Sequence, residues 1–114
     1  MKKENIVKKS KEFTRIIKKR NGKSNNYFII NKENNNENKT LFGITFSKNI
    51  GNAVTRNKLK RRVKNIIDNN EKIYDNNTTY IIIIKKETID LTYQKMEKEL
   101  IDLFLRIKGE QNEK

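Results

Sequence analysis

The sequence predicts an α+β protein, a single-domain sandwich in which helices cover a mixed sheet. Three observations support this prediction. The 114 residues are enough for one modest core, short β-branched and aromatic runs alternate with amphipathic segments, and these segments follow the order α-β-β-α-β-α. We therefore treat residues 1–114 as one domain and expect the charged ends, 1–8 and 110–114, to be disordered.

The first part of the chain is predicted to contain one helix and two strands. A helix is expected over 11–20, where apolar residues recur at helical spacing before Asn21 and Gly22 signal a stop. Strands are expected over 27–30 and 40–47, because aromatic and β-branched residues dominate both segments. The segment between the strands is polar and rich in asparagine, so the pair is predicted to form an antiparallel hairpin with a long loop.

A helix and a strand follow in the middle of the chain. The helix is predicted to begin between Asn52 and Arg56 and to end near Asn69. The strand at 79–84 is apolar on both faces, which is typical of a strand in the centre of a sheet. If this strand runs parallel to the one at 40–47, the unit is a crossover whose default hand is right.

The last helix is predicted to begin after a cap at Asp90 or Thr92 and to stop at Gly109. Its apolar residues recur at helical spacing, so they are expected to form one buried stripe. The members of this stripe are Tyr93, Met96, Leu100, Leu103, Phe104 and Ile107.

The composition favours a nucleic acid as the partner, since 27 Lys and Arg against 14 Asp and Glu give a formal net charge of +13. An anionic membrane surface is the competing partner, but no segment is long and apolar enough to span a bilayer, and the N-terminus lacks the apolar region of a signal peptide. We therefore expect a cytoplasmic protein. The lack of Cys and His excludes disulfides, thiolate nucleophiles, zinc sites and a histidine general base.

The positive charge is concentrated in one stretch, because no Asp or Glu occurs from Asn38 to Ile67. On a helix, the apolar residues of this stretch form a stripe at the i, i+4, i+7, i+8 spacing, and the cations cover the remaining surface. The stripe comprises Leu59, Val63, Ile66 and Ile67.

Cations also stand in the first turns of this helix, at Arg56 and Lys58, where the macrodipole favours acids. A segment that departs this consistently from a local preference indicates function, although a solvated basic face is the alternative, and an ordinary surface amide is the alternative for Asn57. We predict a polyanion-binding surface formed by Lys48, Arg56, Asn57, Lys58, Lys60, Arg61, Arg62 and Lys64.

The run from Gly51 to Arg61, Gly-Asn-Ala-Val-Thr-Arg-Asn-Lys-Leu-Lys-Arg, resembles the signature of the bacterial ribonuclease P protein subunit. The strand before it, from Phe42 to Lys48, and the order and spacing of the elements from about Val7 to Lys108 are similar to that family as well. The resemblance implies an accessory subunit of a ribonucleoprotein endonuclease that removes the 5′ leader of precursor tRNA. It also implies that the crossover is left-handed, against the default.

The resemblance assigns the chemistry to the RNA subunit. That RNA would hold the active site and its Mg²⁺, so no catalytic residue, metal ligand or cofactor is expected in this chain. The basic helix would face the catalytic RNA, and precursor tRNA would be the second partner. Neither an obligate protein partner nor a membrane is expected.

The resemblance further implies a cleft between the first helix and the sheet that binds the single-stranded leader, formed here by Lys9, Phe13, Ile17 and Asn31. Ile17 stands where the family usually has a second aromatic residue, and Asn31 falls at a strand position that is commonly aromatic, so the stacking platform is reduced. Phe13 could equally be a core residue. Lys64 replaces a usual Arg, which keeps the charge and loses the planar fork.

Two other functions remain open at this point. A ribosomal or other structured-RNA-binding protein would explain the charge, but not the ordered run from Gly51 to Arg61. A protein-only nuclease would need carboxylates that hold a metal ion, and the nearest acids are Asp68, Glu71 and Asp75 at a helix end and in a loop. Solvation is the preferred interpretation of those acids.

Overall fold

The computed structural model of the chain describes residue 6, residues 22–48 and residues 50–111. The helix predicted over 11–20 lies outside the described residues. Two short 3-10 turns, at Glu71–Ile73 and Lys86–Asp90, join the main elements. The main elements are β1 (Lys23–Ser24), β2 (Phe28–Asn34), β3 (Leu41–Phe46), α1 (Ala53–Asp68), β4 (Thr78–Ile84) and α2 (Tyr93–Gln111).

The four strands form one mixed sheet in the order β1-β2-β4-β3. β4 pairs antiparallel with β2, with Ile30 opposite Ile82, and parallel with β3, with Ile44 opposite Ile82. The predicted hairpin of β2 and β3 is therefore wrong. β4 lies between them because it is apolar on both faces, and a central position buries both. β3, α1 and β4 form the expected parallel crossover, whose left hand remains a prediction of the family resemblance.

The start of the sheet was not predicted in full. Asn25 makes the turn between β1 and β2, because its side-chain oxygen accepts hydrogen bonds of 2.8 Å from the backbone N–H groups of Tyr27 and Phe28. The Asn25 amide also donates to the carbonyl of Glu99 on α2 at 3.1 Å. Gly22 precedes this turn and packs closely against the backbone of β2, since a Cβ at Gly22 would lie 1.8 Å from the carbonyl oxygen of Ile30.

One face of the sheet packs against α1 and α2 to form the core. Both predicted apolar stripes face this core, with Tyr93 half-buried and every other member buried. Thr92 stands just before α2, and its hydroxyl oxygen accepts a hydrogen bond of 3.2 Å from the N–H of Lys95, so Thr92 and not Asp90 is the cap. The predicted stop at Gly109 is wrong, since α2 continues to Gln111. A glycine in a helix costs only about 1 kcal/mol, which does not by itself end one.

Candidate RNA interface

The turn before α1 sets how the basic helix leaves the sheet. Gly51 has a φ of +59°, in the left-handed region that favours glycine. Asn52 is extended and caps the helix, its side-chain oxygen accepting a hydrogen bond of 3.0 Å from the N–H of Thr55. The first turn contains no acid. The apolar stripe of α1 then docks on the core and fixes which side of the helix faces outward.

The structure brings seven of the eight predicted polyanion-binding residues onto α1 and places Lys48 in the turn that precedes it. Lys60, Arg62 and Lys64 are half-buried. The exposed members are Lys48, Arg56, Asn57, Lys58 and Arg61. The structure therefore places these side chains on one helix and in the segment before it, and their contact with RNA remains a proposal.

Neutralisation by neighbouring acids distinguishes the two helices. On α2, Lys95 pairs with Glu99 at 3.1 Å and Lys98 pairs with Asp102 at 3.7 Å. Within the described part of the chain, no Lys or Arg of α1 forms such an ion pair. The cations of α1 therefore present an uncompensated positive field to any approaching polyanion.

Arg62 differs from its neighbours on α1. One Nη of its guanidinium donates a hydrogen bond of 3.3 Å to the carbonyl oxygen of Leu91, just before α2. The sequence contains a weak signal that Arg62 lies close to the body of the protein. Arg62 lies four residues before Ile66 and three after Leu59, so it borders the buried stripe.

Val54 is a residue of this surface that sequence reasoning did not assign. Its side chain is 77% exposed, although it is apolar, and it lies in the first turn of α1. Helical spacing puts it on the same outward face as Lys58 and Arg61, at i+4 and i+7. The spacing alone could have found this apolar residue within a cationic face.

Of the predicted leader cleft, only Asn31 belongs to the described residues, since Lys9, Phe13 and Ile17 lie outside them. Asn31 stands in the middle of β2 opposite Ile81 and is 4% exposed. An asparagine buried to this extent can offer a nucleotide only a small contact area.

The acids nearest to the basic surface gather at the far end of α1. Asp68 and Glu71 line a shallow cavity of about 390 Å³ there, together with Asn69, Asn70, Lys72 and Ile73. Burial, followed by the negative charge of Asp68, raises the pKa of the nearby Tyr74 phenol well above its usual value. Among the described residues, no three acidic side chains are grouped so that they could bind a metal ion.

None of the described helices has the length and apolar character needed to cross a membrane.

Comparison with known proteins identifies the family. A family model described as Ribonuclease P matches residues 1–108. The ribonuclease P protein component of Streptococcus pneumoniae serotype 4 is 37% identical over 101 residues, which cover 89% of this chain and 82% of that protein. The chain belongs to the ribonuclease P protein family. Membership gives it a subunit role in ribonuclease P, the enzyme of tRNA 5′ processing.

Solved structures of ribonuclease P proteins share this fold. A mutant of the Staphylococcus aureus protein superimposes with a TM-score of 0.84 at 30% identity, covering 93% of this chain and 90% of that chain. The protein from Thermotoga maritima gives a TM-score of 0.79 at 24% identity, covering 88% and 94% respectively. The predicted α+β architecture of the family is therefore confirmed.

Proposed function

We propose that this chain binds the catalytic RNA of ribonuclease P through the outward surface of α1 and the turn before it. The observation that carries the proposal is the combination of exposed cations with the lack of any ion pair to them among the described residues. The proposed contacts are Lys48, Arg56, Asn57, Lys58, Lys60, Arg61 and Lys64. Arg62 is not among these contacts, because its guanidinium already donates a hydrogen bond to the carbonyl oxygen of Leu91.

The chemistry of these side chains suits a structured RNA. Arg56 and Arg61 carry planar guanidinium forks that can bind two phosphate oxygens at once, and lysine ammonium groups supply point charges beside them. The macrodipole of α1 adds partial positive charge at its N-terminus, on the same surface. Asn57 is neutral and can both donate and accept, so it suits a ribose or a base edge.

The proposal leaves hydrolysis of the phosphodiester bond to the RNA subunit. Mg²⁺ would be held there, and this chain would contribute binding and orientation, with no catalytic residue of its own. As a bacterial tRNA-processing subunit it would act in the cytoplasm, where precursor tRNA is made.

A second surface of the protein would bind the 5′ leader of precursor tRNA. The family resemblance assigns it to Lys9, Phe13, Ile17 and Asn31. Because Asn31 is buried, we assign it to the wall of the cleft and expect stacking to come mainly from Phe13. One aromatic residue gives a weaker platform than two, so the leader contact should be modest.

Reconstitution with the cognate catalytic RNA tests the proposal. Precursor tRNA is incubated with the protein alone, the RNA alone and both together over a range of Mg²⁺ concentrations. We expect no cleavage by the protein alone, and cleavage at lower Mg²⁺ when both subunits are present. Cleavage by the protein alone would instead identify a protein-only nuclease. Binding without any gain in cleavage would favour another structured-RNA-binding protein. A variant with Arg56, Lys60 and Arg61 changed to Ala is the matched control and should not lower the Mg²⁺ requirement.

A further inference from the structure

We propose that Arg62 is a positioning residue, which fastens the basic helix to the start of α2 and makes no phosphate contact itself. This inference rests on the proposed function, in which α1 binds the catalytic RNA. Nη1 of Arg62 donates a hydrogen bond of 3.3 Å to the carbonyl oxygen of Leu91. Among the described residues, no other Lys or Arg of α1 donates to the backbone of another element. Its side chain is half-buried, whereas Arg61 beside it is exposed.

The carbonyl that Arg62 binds belongs to a firmly held piece of backbone. The N–H of Leu91 donates to the carbonyl of Thr88 at 3.0 Å and closes the 3-10 turn. Thr88 is fully buried, and its hydroxyl donates to the carbonyl of Lys85 at 2.8 Å. The next residue, Thr92, caps α2. A donor attached to Leu91 is therefore attached to the end of β4 and the beginning of α2 together.

The position of Arg62 on α1 explains why it serves this purpose. It borders the buried stripe, between Leu59 and Ile66 in helical spacing, so its stem lies along the body of the protein. Arg61 and Lys58 lie farther around the helix and are exposed. Neighbouring cations of the same segment thus have different tasks, with Arg61 directed to solvent and Arg62 directed to Leu91.

The hydrogen bond has a consequence for RNA binding. The apolar stripe holds α1 on the core by a non-directional attraction, which tolerates small rotations of the helix. A hydrogen bond from a charged donor to a fixed carbonyl is directional and restricts such rotation. Arg62 would therefore keep Arg56, Lys60 and Arg61 oriented before RNA arrives, which lowers the entropic cost of binding.

An arginine footprint on the unmodified protein tests the assignment. The free protein and its complex with the catalytic RNA are treated briefly with phenylglyoxal, and the modified arginines are located by mass spectrometry. We expect Arg56 and Arg61 to react in the free protein and to be protected by RNA. Arg62 should react slowly in both states. An Arg62 that reacts freely and becomes protected by RNA would overturn the inference. Failure of RNA to protect Arg56 and Arg61 would count against the proposed function instead.

A substitution then measures the effect on binding. Arg62→Met keeps a long apolar stem and removes the donor, and Lys58→Met is the matched control one turn earlier. With folding verified by circular dichroism, Arg62→Met should weaken RNA affinity about threefold to tenfold, the equivalent of one hydrogen bond, at every salt concentration. Lys58→Met should make the dependence of log affinity on log salt shallower by about 0.7–0.9. A shallower dependence for Arg62→Met would mean a phosphate contact, and unchanged affinity would mean a role in stability only; either overturns the inference.

Discussion

The side-chain oxygen of Asn52 accepts a hydrogen bond of 3.0 Å from the N–H of Thr55, so a neutral residue caps the helix that carries the basic surface. An aspartate would cap as well and would also interact favourably with the macrodipole. It would, however, place a negative charge at the start of the surface that we assign to RNA. The neutral cap is therefore consistent with a compromise between helix stability and RNA affinity.

This compromise predicts opposite effects of one substitution. Asn52→Asp should raise the free energy of unfolding by about 0.3–1 kcal/mol and weaken binding to the catalytic RNA. Urea unfolding and RNA titration measure the two quantities. Thr92→Asp, at the cap of α2, is the control and should leave RNA affinity unchanged. Asn52→Asp with unchanged or tighter RNA binding would contradict the account.

Salt dependence reports the number of phosphates that the surface neutralises. Log affinity for the catalytic RNA should fall linearly with log salt, by about 0.7–0.9 for each phosphate contact. Lys60→Ala and Arg61→Ala should each reduce this slope by about one unit. Lys98→Ala, which removes a cation paired with Asp102 on α2, is the matched control and should leave the slope unchanged. A nearly flat dependence for the wild-type protein would exclude a polyanion site.

The raised pKa of the Tyr74 phenol leads us to expect a lower free energy of unfolding at alkaline pH. Burial and the charge of Asp68 raise its pKa in the folded state above the unfolded value of about 10. The neutral phenol therefore stabilises the fold fully below pH ~10, and this contribution is lost as the pH rises further. The free energy of unfolding of the wild-type protein should fall above pH 10, and that of the Tyr74→Phe variant should fall less steeply.

Two further interactions affect the stability difference between the wild-type protein and Tyr74→Phe, one of Tyr74 itself and one of Tyr80. The Tyr74 hydroxyl donates to the carbonyl of Ile67 at 3.2 Å, so the variant should lose about 0.5–1.5 kcal/mol at neutral pH. Burial also raises the pKa of Tyr80, with partial relief from the N–H of Asp75, so some alkaline loss should remain. Identical pH profiles for the two proteins, measured by urea unfolding between pH 8 and 11, would refute the assignment to Tyr74.

Much of α1 could be predicted from the sequence because its determinants are local. The stripe at Leu59, Val63, Ile66 and Ile67 follows from helical periodicity, and the cap at Asn52 lies within one turn of the residues it serves. Strand pairing was not predictable in the same way. The apolar character of β4 indicated a central strand, but its two neighbours are set by packing between segments that are distant in the sequence.

The same distinction applies to the candidate site. Which side chains of α1 face outward follows from the helix period, and the structure agrees for Arg56, Asn57 and Arg61. The contact of Arg62 with Leu91 spans 29 residues, so no local pattern encodes it. Asn31 is likewise buried in the middle of β2, and the polar character of this residue gave no signal of that burial.

The two proposed RNA surfaces should give separable defects. Arg61→Ala should weaken binding of the catalytic RNA whichever tRNA is present. Phe13→Ala should weaken binding of precursor tRNA to the holoenzyme and spare mature tRNA, because stacking on the leader is lost. Such a loss is about 1–3 kcal/mol per base, and the lower end is expected with Ile17 and Asn31 in the cleft. Equal loss of precursor and mature tRNA in both variants would contradict two surfaces, and unfolding of Phe13→Ala would assign Phe13 to the core.

The proximity of α1 to the catalytic RNA is the central claim, and tethered hydroxyl-radical cleavage measures it most directly. The chain has no cysteine, so a single cysteine carries an iron chelate to one chosen position. Asn65→Cys places it on the outward side of α1 beside the proposed contacts, and Leu105→Cys places it at an exposed position of α2 as the control. The account predicts a discrete set of cuts in the RNA from position 65 and few or none from position 105. Cuts from position 105 alone, or equal cutting from both positions, would contradict it.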